Sequence, residues 1–300
     1  MTLEFSIRPF TLDDVDFAVK VTTRERWGYS KEDFTIMFLM RVGDSFIAQE
    51  EPSKRAIGML STYDYGDKVA WIGNVVVSEE YRHQGVAGSL IKHAIRQLGK
   101  QGVKAVRLYS KMNTESLYRQ MDFVSEGTIG VFTKTMGTRQ PTRATEVPSG
   151  SKNLSRIDES NAERIFDLDM RCFGADRRRV LSSILRTRGS LCLAKCNGYT
   201  RKNLVAYIMA TEGENEFLVG PWICDPDRNE VAEELIDAAI LQSKRRKVSV
   251  ATSLDNTLCV RILEKLKFNK TMEVRKMRKG RNLYNGKPSW IFGVGGLEKG

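Results

Sequence analysis

Residues 75–90 read Val75-Val76-Val77-Ser78-Glu79-Glu80-Tyr81-Arg82-His83-Gln84-Gly85-Val86-Ala87-Gly88-Ser89-Leu90. A β-branched run gives way to a polar turn, and the turn runs straight into a helical pattern. The longer apolar run VAWIGNVVV (residues 69–77) is bounded by polar turns, as a buried strand should be. The helix that follows places Leu90, Ile91, Ala94, Ile95 and Leu98 on one face. At the junction Gly85, Ala87 and Gly88 let a ligand come close to the backbone. The unpaired N–H groups of a helix start point outward there, and the helix dipole adds positive potential. Together these features suit a pyrophosphate. The spacing is neither the dinucleotide pattern G-x-G-x-x-G nor the P-loop. Glycines at a helix start also serve close packing on a sheet. Arg82, three residues before Gly85 and directly after the strand, turns the reading toward a ligand.

Working outward, the same order of elements recurs. Ala232 stands 145 positions after Ala87, as Leu235 does after Leu90 and Phe268 after Phe123. One offset held over such a span points to a duplicated unit. Between the copies lies TRQPTRATEVPSGSKN, residues 138–153, with two prolines, Ser-Gly-Ser and almost no apolar residue. It reads as a linker, dividing the chain into domains at 1–137 and 154–300. Each half reads as a strand, helices, a run of strands, a helix, a strand, a helix and a strand. Short helices are expected at Asp13–Val21 and Lys31–Arg41, with counterparts at Asn161–Met170 and Asp176–Arg186. The fold class is α+β: in each half, a twisted mixed sheet flanked by helices.

Composition narrows the classes. At 300 residues, 41 % hydrophobic and 28 % charged, the chain matches a two-domain globular protein. No apolar run reaches the roughly 18 residues of a membrane span. The first residues lack the basic-then-apolar order of a signal peptide, so a cytoplasmic, or alternatively nuclear, location is expected and a membrane partner is not. The five cysteines (Cys172, Cys192, Cys196, Cys224 and Cys259) lie in the second half, away from His83 and His93. No metal-ligand spacing emerges, and reduced, packed thiols are expected. Charge is uneven: residues 1–137 hold 18 Lys+Arg against 17 Asp+Glu, and the remainder 30 against 20. The basic clusters lack the aromatic interleaving of single-strand binders, so they read as a solvated face rather than a specific nucleic-acid site.

The segment at 82–87 resembles the acyl-CoA-binding motif of the GNAT N-acetyltransferase superfamily, Q/R-x-x-G-x-G/A, with Arg82, Gly85 and Ala87 at its fixed positions. The resemblance implies that acetyl-CoA lays its pyrophosphate on the backbone amides of His83, Gln84, Gly85, Val86, Ala87, Gly88 and Ser89. It implies that the pantetheine arm pairs with Val75, Val76 and Val77, and that the Val75 N–H polarises the thioester carbonyl. Downstream, Asn113 and Ser116-Leu117-Tyr118-Arg119-Gln120-Met121-Asp122-Phe123 approximate a second family pattern. It gives Tyr118 the role of general acid toward the leaving thiolate and Asn113 a contact to CoA. Two departures stand out: Asn113 sits two residues nearer the tyrosine than usual, and Asp122 replaces a glycine. The strand before the loop, Trp71-Ile72-Gly73-Asn74, carries no acid, so no general base can be named from the sequence.

In the second half the offset puts Asp227 at Arg82, Glu230 at Gly85 and Leu263 at Tyr118. Carboxylates would repel the phosphates of CoA, so the second half is expected to keep the fold and lose the cofactor. The chain therefore resembles a tandem GNAT acetyltransferase with an intact first and a degenerate second domain. The second domain is expected to complete the acceptor pocket through Phe173, Asp176, Arg177 and Trp222, which would let the chain act as a monomer. The expected activity is transfer of acetyl from acetyl-CoA to an amine acceptor, a small molecule, in a ternary complex. A protein-lysine acetyltransferase and a non-catalytic acyl-CoA sensor are the alternatives.

Overall fold

The computed structural model describes residues 3–66, 68–137, 154–197, 204–245, 247–283 and 286–300; the expected linker, 138–153, lies outside them. The described chain forms two compact units. The first comprises Met1–Ser125, Met277–Leu283 and Glu298–Gly300. The second comprises Glu126–Lys276 and Tyr284–Leu297.

The first unit opens with β1 (Phe5–Pro9), then α1 (Val15–Arg24) and α2 (Lys31–Leu39). Asp14 fixes the turn into α1: buried, it receives both arms of the Arg8 guanidinium at 2.7 Å and the Thr11 amide at 2.8 Å. α2 starts at a reciprocal cap, in which Ser30 Oγ accepts from the Asp33 amide and Asp33 accepts from the Ser30 amide. Then come β2 (Ser45–Glu50), β3 (Ala56–Asp64), β4 (Val69–Val77), α3 (Val86–Lys100), β5 (Ala105–Lys111) and α4 (Glu115–Arg119). β1 to β4 pair antiparallel in order, and β5 joins β4 parallel. Residues 277–280 lie beyond β5, where a Cβ on Gly280 would overlap the Lys104 carbonyl.

Two apolar layers sandwich this sheet. On one face α3 buries Val86, Leu90, Ile91, Ala94 and Leu98 against Ala48, Ile57, Leu60 and Ile72. On the other, α1 and α2 bury Val15, Ala18, Val21 and Phe34 against Ile47, Met59 and Val76. β4 is buried on both faces, which is why its sequence is apolar without alternation.

The second unit contains β6 (Val124–Thr135), β7 (Leu154–Arg156), α5 (Glu163–Phe173), α6 (Arg178–Arg186), β8 (Leu191–Cys196), β9 (Leu204–Glu212) and β10 (Phe217–Cys224). α7 (Asn229–Gln242), β11 (Lys247–Ser253), α8 (Thr257–Lys265), β12 (Asn269–Gly280) and β13 (Ile291–Gly293) follow. Its strand order is β7-β8-β9-β10-β11-β6-β12, and β10–β11 is again the parallel pair. α7 and α8 pack Val231, Leu235, Ile236, Ala239 and Ile262 onto that sheet.

The expected helices are all present within two or three residues of their sequence bounds. The compact units, however, are not cut where the sequence halves meet. β6 belongs with the second unit because its residues 129–135 form an antiparallel ladder with Lys247–Ser253. The end of β12 and the segment Glu298–Gly300 belong with the first.

Candidate active site

β4 and β5 begin as a parallel ladder, with Val69, Ala70 and Trp71 opposite Ala105, Val106 and Arg107. The ladder stops there, although β4 runs on to Val77 and β5 to Lys111. Its cause is visible on the other side of β4. Met59 pairs with Val76 and Ser61 with Gly73, so Asn74 and Val75 together face Leu60. This is a β-bulge, and it bends β4 away from β5. Asn74 takes a positive φ of 50° with its side chain buried. Val75 is the one residue of β4 left partly exposed. Among the described residues no strand pairs with β4 beyond Trp71 on the β5 side.

The open edge of β4 leads directly into the loop. Arg82 Nε donates to the Val77 carbonyl at 3.1 Å and ties the loop to the strand end. His83 and Gly85 both take left-handed conformations, φ 61° and 81°, and Gly85 caps α3. Gly85 meets open space, so what a side chain there would cost is backbone strain, about 1–2 kcal/mol. Among the described residues no backbone carbonyl accepts from the amides of His83, Gln84, Gly85, Val86, Ala87 or Gly88. These amides, with the α3 dipole behind them, form a cradle for an anion. Val86 is buried under α3, Gly88 faces Met121, and Ser89 is already in the helix, its amide donating to the Gly85 carbonyl.

Glu25, which the sequence reading passed over, lies at the mouth of this opening. One carboxylate oxygen receives Arg82 at 2.7 Å and the other receives Lys111, at the end of β5, at 2.8 Å. The Lys111 hydrogen bond, then the Arg82 pairing, holds its pKa below the ordinary carboxylate value against the opposing effect of burial. Tyr118, on α4, is buried in the α3-side layer and meets Phe123 edge-on, with ring centroids 5.8 Å apart. Burial pushes its phenol up to about 12. Asn113 is exposed in the turn just before α4.

On the α1/α2 side of β4 lies a polar cluster that no sequence motif signals. Asn74 Nδ2 donates to the Tyr63 hydroxyl at 3.4 Å. Tyr29, between α1 and α2, is partly buried and lies near Glu298. Burial pushes both phenols well above their ordinary pKa, and the Glu298 charge adds to this. The segment Glu298–Gly300 lies flat on β4: a Cβ on Gly73 would overlap the Glu298 carbonyl, and the Tyr65 hydroxyl donates to the Lys299 carbonyl. Only a glycine at position 73 leaves room for it.

The second unit repeats the bulge and the splay. The register of β9 with β10 jumps between Val219 and Trp222. The β10–β11 ladder covers Phe217–Val219 opposite Val248–Val250 and stops. Here the opening is filled. β13 pairs antiparallel with β10 at Trp222 and Ile223, and the Val294 amide donates to the Ala251 carbonyl of β11 at 2.9 Å. Phe292 is fully buried against Trp222, with centroids 5.2 Å apart.

This packing corrects the expected acceptor residues. Trp222 is wholly buried in the second unit's core. Arg177 is 2 % exposed, its guanidinium forked onto Asp169 at 2.9 and 2.8 Å and stacked 4.0 Å from the Phe173 ring. Tyr207 also donates to Asp169. Phe173 and Arg177 therefore serve a buried ion pair, and Asp176 pairs with Arg178. Phe173, Arg177 and Trp222 are thus buried away from an acceptor, whereas the Asp176 side chain keeps 39 % exposure. Cys172, Cys192, Cys224 and Cys259 are buried thiols whose pKa values burial raises.

A family model described as acetyltransferase (GNAT) family matches residues 15–123, and one described as acetyltransferase (GNAT) domain matches residues 165–293. No curated protein matches the chain in sequence. Among solved structures, a putative acetyltransferase from Pyrococcus horikoshii is similar at 22 % identity and a TM-score of 0.78, covering 99 % of this chain and 96 % of that one. A tandem GNAT protein from the clavulanic acid biosynthesis pathway is similar at 14 % identity and a TM-score of 0.67, covering 92 % and 98 %. The N-myristoyltransferase of Saccharomyces cerevisiae, solved with bound myristoyl-CoA, is similar at 12 % identity and a TM-score of 0.66, covering 97 % and 86 %. A bulged, splayed parallel strand pair that runs into an anion cradle, matched by family models over both halves, makes this chain a member of the GNAT acetyltransferase family with two GNAT domains in tandem.

Proposed function

We propose that the first unit transfers an acetyl group from acetyl-CoA to a small-molecule amine, which attacks the thioester directly while both substrates are bound. The observation that carries this reading is proximity in the chain: the end of β4, with no strand partner on the β5 side among the described residues, is followed after one short turn, Glu79–Tyr81, by the amides of His83–Gly88, which no described backbone carbonyl engages. The amides of a pantetheine arm can complete that edge as an added strand does, and the pyrophosphate then falls on the cradle. Val75 is the exposed step of the bulge, and its N–H is the donor for the thioester oxygen. One such donor contributes about 10²–10³ in rate, because it is aimed where charge develops.

In this reading Tyr118 is the donor to the leaving sulfur. With its pKa at about 12, against about 8.5 for a free thiol, complete proton transfer to a thiolate would be uphill by roughly 5 kcal/mol. The phenol therefore acts by donating a hydrogen bond as charge builds on sulfur. Its raised pKa keeps that donor protonated at every physiological pH.

The second unit supports one site per chain rather than two. Residues 291–294 lie where a pantetheine arm would pair, and Asp227 and Glu230 stand where the first unit has Arg82 and Gly85. Calorimetric titration of acetyl-CoA into the wild type and into Gly85→Glu tests the reading. A single site lost in the variant, whose melting temperature stays close to wild type, supports it. No binding to the wild type removes it. Binding without transfer to any primary amine would leave an acyl-CoA sensor.

A further inference from the structure

The transferase reading leaves the incoming amine with no group to take its proton. At neutral pH an alkylamine arrives as an ammonium, which has no lone pair to attack with. β4 offers only Asn74 at the bulge. Glu25 is at the mouth, but it bridges two cations at once, Arg82 and Lys111, which together hold its pKa low. A different carboxylate reaches the site from far along the chain. We propose that Glu298 takes the proton from the attacking amine, and that the acceptor is accordingly one that binds as a primary ammonium; the assignment rests on the transferase reading of the same site.

Three observations place Glu298 for this task. Its backbone lies against Gly73, two residues before Val75. At about 3.3 Å per residue of strand, Gly73 and Val75 are roughly 7 Å apart along β4, so the Glu298 backbone lies on the stretch of strand that leads to the oxyanion donor. Its side chain is only 15 % exposed, and Tyr29 lies near it. The Glu298 charge also acts on Tyr63, whose hydroxyl receives Asn74 Nδ2 at 3.4 Å. Finally, the carboxylate already carries a primary ammonium, the Lys299 Nζ at 2.6 Å from Oε1. An acceptor ammonium can replace that partner with the same charge and the same hydrogen-bond geometry.

The step balances without further reagents. The ammonium gives one proton to the Glu298 carboxylate and becomes a neutral amine. Its nitrogen forms the N–C bond as the thioester carbonyl becomes an oxyanion against the Val75 N–H. Collapse breaks the C–S bond, and the second nitrogen proton ends on the CoA sulfur. Glu298 then releases its proton to solvent, so one proton appears per amide formed.

The test compares acceptors that need the base with one that does not. Thiol release from acetyl-CoA is followed with n-propylamine and benzylamine, both ammonium ions at neutral pH, and with hydroxylamine, which is already unprotonated there. Glu298→Gln should slow transfer to the better alkylamine by about 100-fold or more, the range a positioned base contributes. It should leave hydroxylamine transfer and acetyl-CoA affinity within about threefold of wild type. Glu298→Asp should recover part of the alkylamine rate, which a merely structural role would not produce. The assignment is overturned if Glu298→Gln slows both kinds of acceptor alike, slows neither or speeds either. It is equally overturned if the wild type acetylates hydroxylamine but neither alkylamine. Wild type that binds acetyl-CoA yet transfers to none of the three defeats the transferase reading itself, and the assignment with it.

Discussion

The two units contain the same device, a bulge that parts two parallel strands, and differ in what lies in the gap. Between β4 and β5 the edge stays free and leads to a glycine-capped cradle. Between β10 and β11 the chain supplies its own strand, Ile291–Gly293. Beyond Trp71 the β4 edge has no strand partner on the β5 side among the described residues, apart from Arg82 on the Val77 carbonyl, and such an edge is favourable only where a ligand or a chain segment completes it. One gap is open among the described residues and the other is a piece of hydrophobic core.

The largest expected effect sharpens this contrast from the filled side. Phe292 fills the second gap against Trp222, so Phe292→Ala should leave a cavity and destabilise the protein by about 3–5 kcal/mol. Chemical denaturation measures it. The stoichiometry of acetyl-CoA should remain one per chain, because Glu230 and Asp227 still face the loop. A loss below 1 kcal/mol would mean that the segment merely rests on the gap, and a second bound acetyl-CoA would mean that β13 alone kept the site shut.

The next effect carries the second unit's chemistry into the first. Gly85→Glu imports the residue found at Glu230. It strains a left-handed position by about 1–2 kcal/mol and points a carboxylate at the phosphates. Acetyl-CoA affinity should fall by about 100-fold or more in calorimetry, while an unchanged affinity would separate the cradle from cofactor binding. Slightly smaller is Tyr118→Phe, which approaches the apolar Leu263 of the repeat. It should lower kcat by roughly 10²-fold with little change in acetyl-CoA affinity, if the phenol is the donor to sulfur. Folding keeps this phenol neutral, so the associated stability is complete below its ordinary pKa of 10.0 and is lost only as pH rises toward about 12. Any alkaline fall in kcat below pH 10 must therefore come from another group.

How much of this the sequence revealed follows from how local each feature is. Arg82, Gly85 and the start of α3 lie within one turn of chain, so their spacing alone disclosed the cradle. The internal offset located Glu230 and Leu263 for the same reason. β13 stayed hidden, because three apolar residues show no period and its partner strand is distant in sequence. The cluster of Tyr29, Tyr63, Asn74 and Glu298 joins separate stretches of chain, and only Gly73 marked it: a glycine in a strand interior signals a close backbone approach. Phe173, Arg177 and Trp222 misled because aromatic and basic residues suit a pocket. Here Arg177 neutralises the buried Asp169, and Trp222 packs against Phe292. The division at 137 missed the boundary of the compact units, because cross-strand pairing to β11, rather than the linker, decides where β6 belongs.

The smallest effect tests a charge beside the cradle. Glu25 bridges Arg82 and Lys111 across the mouth of the open gap. Both cations are then partly neutralised before any phosphate arrives. Glu25→Gln should free them and tighten acetyl-CoA binding by about threefold, within the 0–1 kcal/mol typical of exposed ion pairs, with a steeper loss of affinity in salt. Because Lys111 and Arg82 hold the Glu25 pKa below the ordinary carboxylate value of about 4.3, the bridge is complete at neutral pH and opens only as pH falls through that lowered value. The difference between variant and wild type should therefore persist from pH 6 to 8 and shrink in acid. Weaker binding by Glu25→Gln would reverse the reading: Glu25 would then be the residue that aims Arg82 at the cofactor rather than one that competes for it.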